Sequence, residues 1–496
     1  MNMTNTIWRN CNAHPDQIAI LYDGHPVSYR ALRASVERAS ARLAAAGVAR
    51  GDVVVLSIYN SHMSYLSVLL AVGRLGAVAF PLSKYREELA DENRVHAIVL
   101  DKDDGWRSSN LPALRYLEAR MLLAPPAQGD RLEVPPVAQG LDDQPWLIAH
   151  TSGTTGRPKK NPHTHARSAL MLSLPPGVSQ DDHDRVLIFT SPGVEYGITT
   201  IMRQLYNGTT TVLMQSTKPE DFFAVVQRDR PTRVVTTTGN ASPLVAYAAK
   251  ALPESSKICA SIRSMAIGGS FAPPALLQSI QQRICSRLEV RYGSTENGLL
   301  AISTPETRAA RPNSVGRLMP WVQAEAVDEN DHPLPYGQRG VLRFKSPVLA
   351  TGYLDDEQAT ARAFRNGWFY PGDTGSVGAA GYLFLSGRID EVINLGGEKI
   401  DPRLIEELLD EQPGILGSAV VAVNQDTGMP VLVAAVEALA PFDSEALKQL
   451  CTKRLGKIYR PHAIVKIDAL PRNETGKVMR QALAAGLKIS PGAGNP

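Results

Sequence analysis

The 496-residue chain is poor in the features that mark several protein classes. Its 4 cysteines, Cys11, Cys259, Cys285 and Cys451, lie far apart, with neither metal-ligand spacing nor a disulfide framework. They read as reduced, mostly buried thiols. No block of lysine and arginine marks a nucleic-acid or membrane-surface partner, and the net charge is only +3. The most apolar stretch, Tyr65 to Leu82, is interrupted by Gly73, Arg74, Gly76 and Pro81, which excludes a bilayer-spanning helix. The first residues, MNMTNTIWRNCNAHPDQ, lack a basic segment followed by an apolar one, so no secretory leader is expected there and a cytoplasmic location is. No repeat or low-complexity tract is found. Hydrophobic residues at 44% and charged residues at 20% fit ordinary soluble globular usage.

The length exceeds that of one ordinary domain of about 100–200 residues. Short apolar runs alternate with amphipathic ones. Val53–Tyr59, Ala97–Leu100, Trp146–Ala149 and Val186–Phe189 read as strands, and Ser64–Leu75 as a helix. This alternation predicts parallel strands with crossover helices. After Val186–Phe189, Ser191-Pro192 reads as the cap and first position of a helix running to Tyr206. Asn207-Gly208 ends it, and Thr209–Met214 is the next strand. From about Val315, frequent glycines and prolines punctuate short β-like runs such as Val341–Lys345, as in an antiparallel or barrel-like subdomain. Beyond Gly387-Arg388 the pattern becomes α+β, with helices at Leu404–Asp410 and Ser444–Leu455 and strands at Gly417–Val423 and Val431–Val436. The expected fold class is therefore α/β. A large N-terminal domain, 1–389, holds layered α/β subdomains to about 310 and a β-rich subdomain over about 311–389. A small α+β C-terminal domain covers 390–496.

Five segments carry chemistry. The first, Thr151-Ser-Gly-Thr-Thr-Gly-Arg-Pro-Lys-Lys160, follows a strand and precedes a helical stretch from about Thr164. Backbone amides of such a turn can point at phosphate oxygens, and its hydroxyls and lysines add donors and charge. It is not a Walker A loop, because two residues separate Gly153 from Gly156 and no Gly-Lys-Ser/Thr follows. In Arg291-Tyr-Gly-Ser-Thr-Glu-Asn297 a carboxylate suits magnesium and an aromatic ring offers a stacking surface. In Trp368-Phe-Tyr-Pro-Gly-Asp373 an aspartate sits in a tight turn, placed for turn geometry or for a ribose diol. Gly387–Ile400 contains the pair Gly396-Gly397, where backbone approaches a strand or a ligand. Pro471-Arg-Asn-Glu-Thr-Gly-Lys477 ends on a lysine.

Together and in this order, these segments resemble the adenylate-forming superfamily of acyl- and aryl-CoA synthetases, peptide-synthetase adenylation domains and firefly-type luciferases. The resemblance runs from about Val27 to Lys477. It implies an ATP-dependent ligase that converts a small-molecule carboxylic acid to acyl-AMP and passes the acyl group to a thiol. By the resemblance, Thr151, Ser152, Gly153, Thr154, Thr155, Gly156 and Lys159 cradle the phosphates. Gly268, Gly269 and Ser270 lie along the adenine, with Tyr292 against its face. Thr295 and Glu296 hold the α-phosphate region and Mg2+. Asp373 takes the ribose hydroxyls with help from Arg388, and Lys477 bridges the attacking carboxylate and the α-phosphate. Asp390 matches the hinge about which the small domain swings. Gly396 and Gly397 then line a thiol channel.

The physical chemistry agrees with that reading. A carboxylate attacking a phosphate is anion meeting anion, so lysine, magnesium and oriented amides are what the barrier needs. The carboxylate is already ionised at neutral pH, so no Ser/His/Asp arrangement is required. Three departures stand out: Lys160 where the family usually has glycine, Gly193-Val194-Glu195 where many acyl-CoA members place a histidine, and Pro371 where threonine is usual. The first resembles stand-alone aryl-acid activating members. The acceptor is therefore CoA or, alternatively, the phosphopantetheine of a carrier protein. Val194 and Glu195 fall at the substrate pocket. Glu195 is either a carboxylate recognising a cationic or hydrogen-bond-donating group or an acidic residue favoured by the helix dipole. His163 and His165 are expected to pack at a helix start rather than to catalyse. A kinase with a phosphate-binding P-loop and a catalytically degenerate adenylate-binding protein are the readings from other classes.

Overall fold

The computed structural model describes residues 1–82, 95–102, 114–128, 131–151, 159–175, 183–253, 255–395, 398–424, 430–473 and 476–487. Contacts divide the chain into two units. The first comprises Met1–Val235, Ser294–Gly298 and Ser346–Arg365; the second comprises Thr236–Gly293, Leu299–Lys345 and Asn366–Pro496.

In the first unit, one sheet has the order Arg115–Glu118, Val95–Leu100, Val53–Ser57, Val78–Pro81, Pro145–Thr151, Lys159–Thr164. All neighbours are parallel except the last pair, which is antiparallel. The central strand, Val-Val-Val-Leu-Ser, is buried along its whole length, as expected of a parallel strand covered on both faces. Val53, Val55, Phe80, Ile98 and Leu100 share one core cluster. The helix His62–Arg74 crosses over after Ser61, whose side chain caps it by accepting the Ser64 amide. A second group of strands pairs Arg185–Phe189, Thr210–Leu213 and Ile18–Tyr22 in parallel, with His25–Ser28 antiparallel at its side.

The helical stretch expected from about Thr164 is present, and one other expectation, the start of the helix after Phe189, needs correction. Between the glycine-rich segment and the helix expected from about Thr164 runs the strand Lys159–Thr164. Thr151 and Lys159 are register partners in a hairpin, and the helix His165–Ser173 begins only after the second strand. The helix after Arg185–Phe189 begins at Glu195, not at Pro192, and Val194 provides no side-chain cap. Ser191 instead closes a turn, its hydroxyl accepting the Gly193 amide at 3.2 Å. The cause is steric. A Cβ on Gly197 would lie 2.0 Å from the Ser191 carbonyl oxygen, so the Ser191 turn packs directly on the first helical turn, where no side chain stands. The helix ends at Asn207, with Gly208 at φ +79°, as its sequence predicts.

In the second unit, Ser264–Gly268 and Leu288–Ser294 pair in parallel. The strands Gln323–Val327, Gly340–Lys345, Asp373–Val377 and Leu383–Arg388 form an antiparallel succession around Leu342, Phe344, Val377 and Leu383. Ile415–Asn424, Pro430–Ala438 and Ala463–Ile467 form a three-stranded mixed sheet. The helices Pro402–Asp410 and Ser444–Leu455 contribute Ile405, Leu409, Leu447 and Cys451 to its core. All four cysteines are free and buried. Among the described residues no helix is long and apolar enough to cross a membrane.

Candidate functional site

Asp373 and Arg388 are direct cross-strand partners. That register carries Arg388 Nη1 to Asp373 Oδ1 at 2.9 Å, while Tyr292 donates its hydroxyl to Asp373 Oδ2 at 2.5 Å. Burial raises the Asp373 carboxyl above its ordinary value, and Arg388, Tyr292 and Lys477 act against that rise. Burial, then the Asp373 charge, keeps the Tyr292 phenol protonated far above its usual range. An ionised carboxylate has about four lone-pair positions. Tyr292 and Arg388 take one on each oxygen, so each oxygen keeps capacity for one more donor. Two adjacent hydroxyls would match that.

Arg388 also donates Nε to Asp390 Oδ1 at 2.9 Å and Nη2 to Asp390 Oδ2 at 3.1 Å. Lys477 lies 3.4 Å from Glu391, which Arg480 also approaches at 3.4 Å. The Lys477 turn is closed by the Asn473 amide on the Lys477 carbonyl and by the Lys477 amide on Asn473 Oδ1. Gly268 ends its strand, Gly269 follows at φ +90°, and Thr238 Oγ1 donates to the Ser270 carbonyl at 3.1 Å. The Ser270 hydroxyl is buried and has no protein partner among the described residues, leaving it free for a ligand.

The first unit gathers Thr295, Glu296, Glu195 and Lys159. Glu296 is 7% exposed and accepts the Tyr353 hydroxyl at 2.7 Å. Lys159 lies 4.8 Å above the Tyr353 ring. The backbone of Thr295 and Glu296 is gripped by Arg167, whose Nη2 donates to the Thr295 carbonyl at 2.7 Å and to the Glu296 carbonyl at 3.0 Å. Arg167 Nε donates to the Val348 carbonyl at 2.7 Å, and Nη1 to Asn161 Oδ1 at 3.2 Å. Burial lowers the Arg167 pKa to about 10, and Glu195 and Glu296 act against that fall. Burial pushes Glu195 up to about 7, with Arg167 acting against the rise and Glu296 with it. Val194 directly precedes Glu195 at the helix start.

His163 and His165 are fully buried at the start of the helix His165–Ser173. His165 Nδ1 accepts the Met3 amide at 3.0 Å, and burial lowers both imidazole pKa values, so both are neutral packing groups. Ser152, Gly153, Thr154, Thr155, Gly156, Gly396 and Gly397 lie outside the described residues, and of Thr151 only the strand position is described. Sequence reasoning missed Arg167 and Glu391. An arginine on an amphipathic helix reads as a solvated charge, and no local signal shows its burial.

The profile of the family described as AMP-binding enzyme matches residues 7–354, and that described as AMP-binding enzyme C-terminal domain matches residues 404–477. The chain is 29% identical to indoleacetate–CoA ligase of Aromatoleum aromaticum, over 97% of each. It resembles the structure of the amide bond synthetase McbA from Marinactinospora thermotolerans, with 24% identity and a TM-score of 0.82 over 98% of this chain and 100% of the other. It also resembles o-succinylbenzoate CoA synthetase from Bacillus subtilis, solved with ATP and magnesium ion. There the identity is 23% and the TM-score 0.79, over 97% of this chain and 99% of the other.

Proposed function

Because the chain belongs to the AMP-binding enzyme family, we propose that Tyr292, Asp373, Arg388, Glu296 and Lys477 carry out adenylation in this protein. The enzyme is an ATP-dependent, AMP-forming acid–thiol ligase. A carboxylate oxygen of the acid attacks the α-phosphorus of ATP, and the bond to pyrophosphate breaks. A thiol then attacks the acyl carbonyl carbon, and AMP leaves. The observation that carries the residue assignment is the Asp373 carboxylate, fixed by Tyr292 and Arg388 with one acceptor position left on each oxygen.

In this reading Asp373 holds the ribose diol and Arg388 fixes the carboxylate. Tyr292 presents its ring to the adenine, and the Gly268–Ser270 turn runs along it. Glu296 and Thr295 would hold Mg2+ and the α-phosphate region; the metal, when bound, neutralises phosphate charge. Lys477 bridges substrate carboxylate and α-phosphate, where a fixed cation offsets growing negative charge at no cost of reorganisation. The segment from Thr151 to Gly156, with Lys159, cradles the departing phosphates. Residues 390–496 form the mobile domain and Asp390 the hinge. Gly396 and Gly397 line the channel for the thiol. CoA is the acceptor, and carrier-protein phosphopantetheine is the second reading, favoured by Lys160 in place of the usual glycine. The protein works in the cytoplasm, where ATP and CoA are available and its buried thiols stay reduced.

The acid is an aryl or arylalkyl carboxylate bearing an N–H or O–H donor. Two features support this: the indoleacetate ligase among its relatives, and Glu195, a partly buried carboxylate at the start of the pocket helix. The test is ATP–pyrophosphate exchange over benzoate, phenylacetate, indole-3-acetate, hexanoate, octanoate and phenylalanine, followed by thioester assay with CoA and with a loaded carrier protein. Exchange with the donor-bearing aryl acid above the plain aryl acids is the expected result. No exchange with any carboxylate would favour a degenerate adenylate-binding protein instead.

A further inference from the structure

The helix Thr238–Ala251 in the second unit carries a glycine, Gly239, in its first turn. Glycine is the poorest helix former after proline. Nothing in the backbone calls for it: Gly239 is absent from the left-handed region, unlike Gly476 at φ +85°. What it supplies is space. A Cβ at Gly239 would lie 2.9 Å from Gly476 Cα and 2.9 Å from Arg472 Cδ. A Cβ at Gly476 would meet the Gly239 nitrogen at 3.0 Å and Thr237 Oγ1 at 3.2 Å. Gly476 immediately precedes Lys477, and Arg472 Nη1 donates to the Gly476 carbonyl at 3.1 Å.

A second contact lies on the same helix face, one turn along. Ser242 donates to Glu437 Oε2 at 2.9 Å. Glu437 is 5% exposed, and its other oxygen accepts the Leu470 amide at 2.5 Å. Arg472 Nη2 stands 3.7 Å from the same carboxylate. The start of this helix therefore seats the Lys477 turn through one steric gap and one polar anchor.

We propose that Gly239 is a positioning residue for adenylation: lacking a side chain, it lets Gly476 seat against the helix and so sets where Lys477 stands. The proposal rests on the assignment of Lys477 to the first half-reaction. A methyl group at Gly239 must push the turn outward, because the atoms it meets include backbone. A displacement of about 1 Å at a catalytic group can cost about 10²-fold in rate. Alanine also favours the helix more than glycine does, so Gly239→Ala tests position without weakening local structure.

The experiment compares the full-length chain with Gly239→Ala, Gly239→Val and Lys477→Ala. It measures ATP–pyrophosphate exchange with the best aryl acid of the panel, and separately thioester formation from CoA and the chemically prepared acyl-adenylate of that acid. The expected result is exchange lowered about 10-fold in Gly239→Ala and about 100-fold in Gly239→Val. The ATP KM, the thermal midpoint and the second half-reaction stay within about twofold or a few degrees of the parent. Normal exchange in Gly239→Val overturns the proposal, as does equal loss of both half-reactions in Gly239→Ala while Lys477→Ala separates them. If Lys477→Ala itself lowers both half-reactions equally, the assignment of Lys477 fails and the proposal with it.

Discussion

Tyr292 donates its hydroxyl to Asp373 at 2.5 Å, across 81 residues of sequence, from a parallel strand to the first residue of an antiparallel one. The contact orients a carboxylate that is 9% exposed and shares it with Arg388, which donates to the other oxygen. Asp373→Asn should raise the ATP KM about 10–100-fold, the value of losing charge-assisted bonds of about 1.5–3 kcal/mol. Tyr292→Phe should raise it less, because Arg388 still holds the carboxylate. Both are read from ATP saturation of pyrophosphate exchange. An unchanged KM in Asp373→Asn would remove Asp373 from the nucleotide site.

Arg167 binds main-chain carbonyls of Thr295, Glu296 and Val348 at once. A lysine has a compact ammonium and cannot reproduce that planar fork. Arg167→Lys should lower adenylation by about 10-fold or more, with a raised Mg2+ requirement, because Glu296 loses its fixed backbone. Magnesium titration of exchange activity provides the check. A variant with parent-like magnesium response but lower thermal stability would mean that Arg167 serves folding alone.

Glu195 sits near a pKa of about 7, raised by burial from 4.5. Between these values the folded protein holds a proton that the unfolded chain releases. Its stabilising effect is full below 4.5 and is lost as pH rises through about 7. Glu195→Gln removes this slope. Relative to the parent it should gain up to about 3 kcal/mol between acid and pH 8, from 1.36 kcal/mol per pKa unit. Urea denaturation across pH gives the measurement. The same variant should weaken binding of donor-bearing aryl acids more than of plain ones, with the difference growing above pH 7 as the parent carboxylate ionises.

The imidazoles of His150 and His165 are lowered from 6.5 to about 4 by burial first, with smaller charge effects, and burial likewise holds His163 well below its ordinary value. The unfolded chain therefore binds protons between pH 6.5 and 4 that the folded chain refuses. Stability should fall by several kcal/mol as pH drops through that window. His163→Leu should flatten the acid limb of the urea midpoint profile. A limb identical to the parent's would assign acid sensitivity to other groups.

Much of the fold was legible where one physical signal dominates. Val53–Ser57 is a continuous apolar β-branched run, and burial on both faces leaves it no other structure. Ser444–Leu455 has Asp443 as an N-cap that accepts two amides, and its predicted bounds match the observed ones. The strand Lys159–Thr164 was not legible. Lys-Lys-Asn-Pro-His-Thr has little intrinsic β character and is held by pairing with Pro145–Thr151. The start of the helix at Glu195 depends on Gly197 receiving the Ser191 carbonyl, a packing relation that no cap residue announces. Within the site, Asp373, Tyr292 and Glu296 stood out by motif. Arg167 did not, because its acceptors lie up to 181 residues away.

Glu391 has a consequence for the proposed rotation. Lys477, Glu391 and Arg480 all lie after Asp390, so in the proposed rotation Lys477 would carry its counterion with it. Arg388, on the other side of Asp390, stands 3.8 Å from the same carboxylate. Lys477 need never become a bare ammonium in transit. On the proposed reading, Lys477 would exchange Glu391 for the substrate's anions in the nucleotide site and take Glu391 back on leaving. Such a cycle would trade one anion for another, so the turning domain would not have to strip a cation of its partner at either end of its travel.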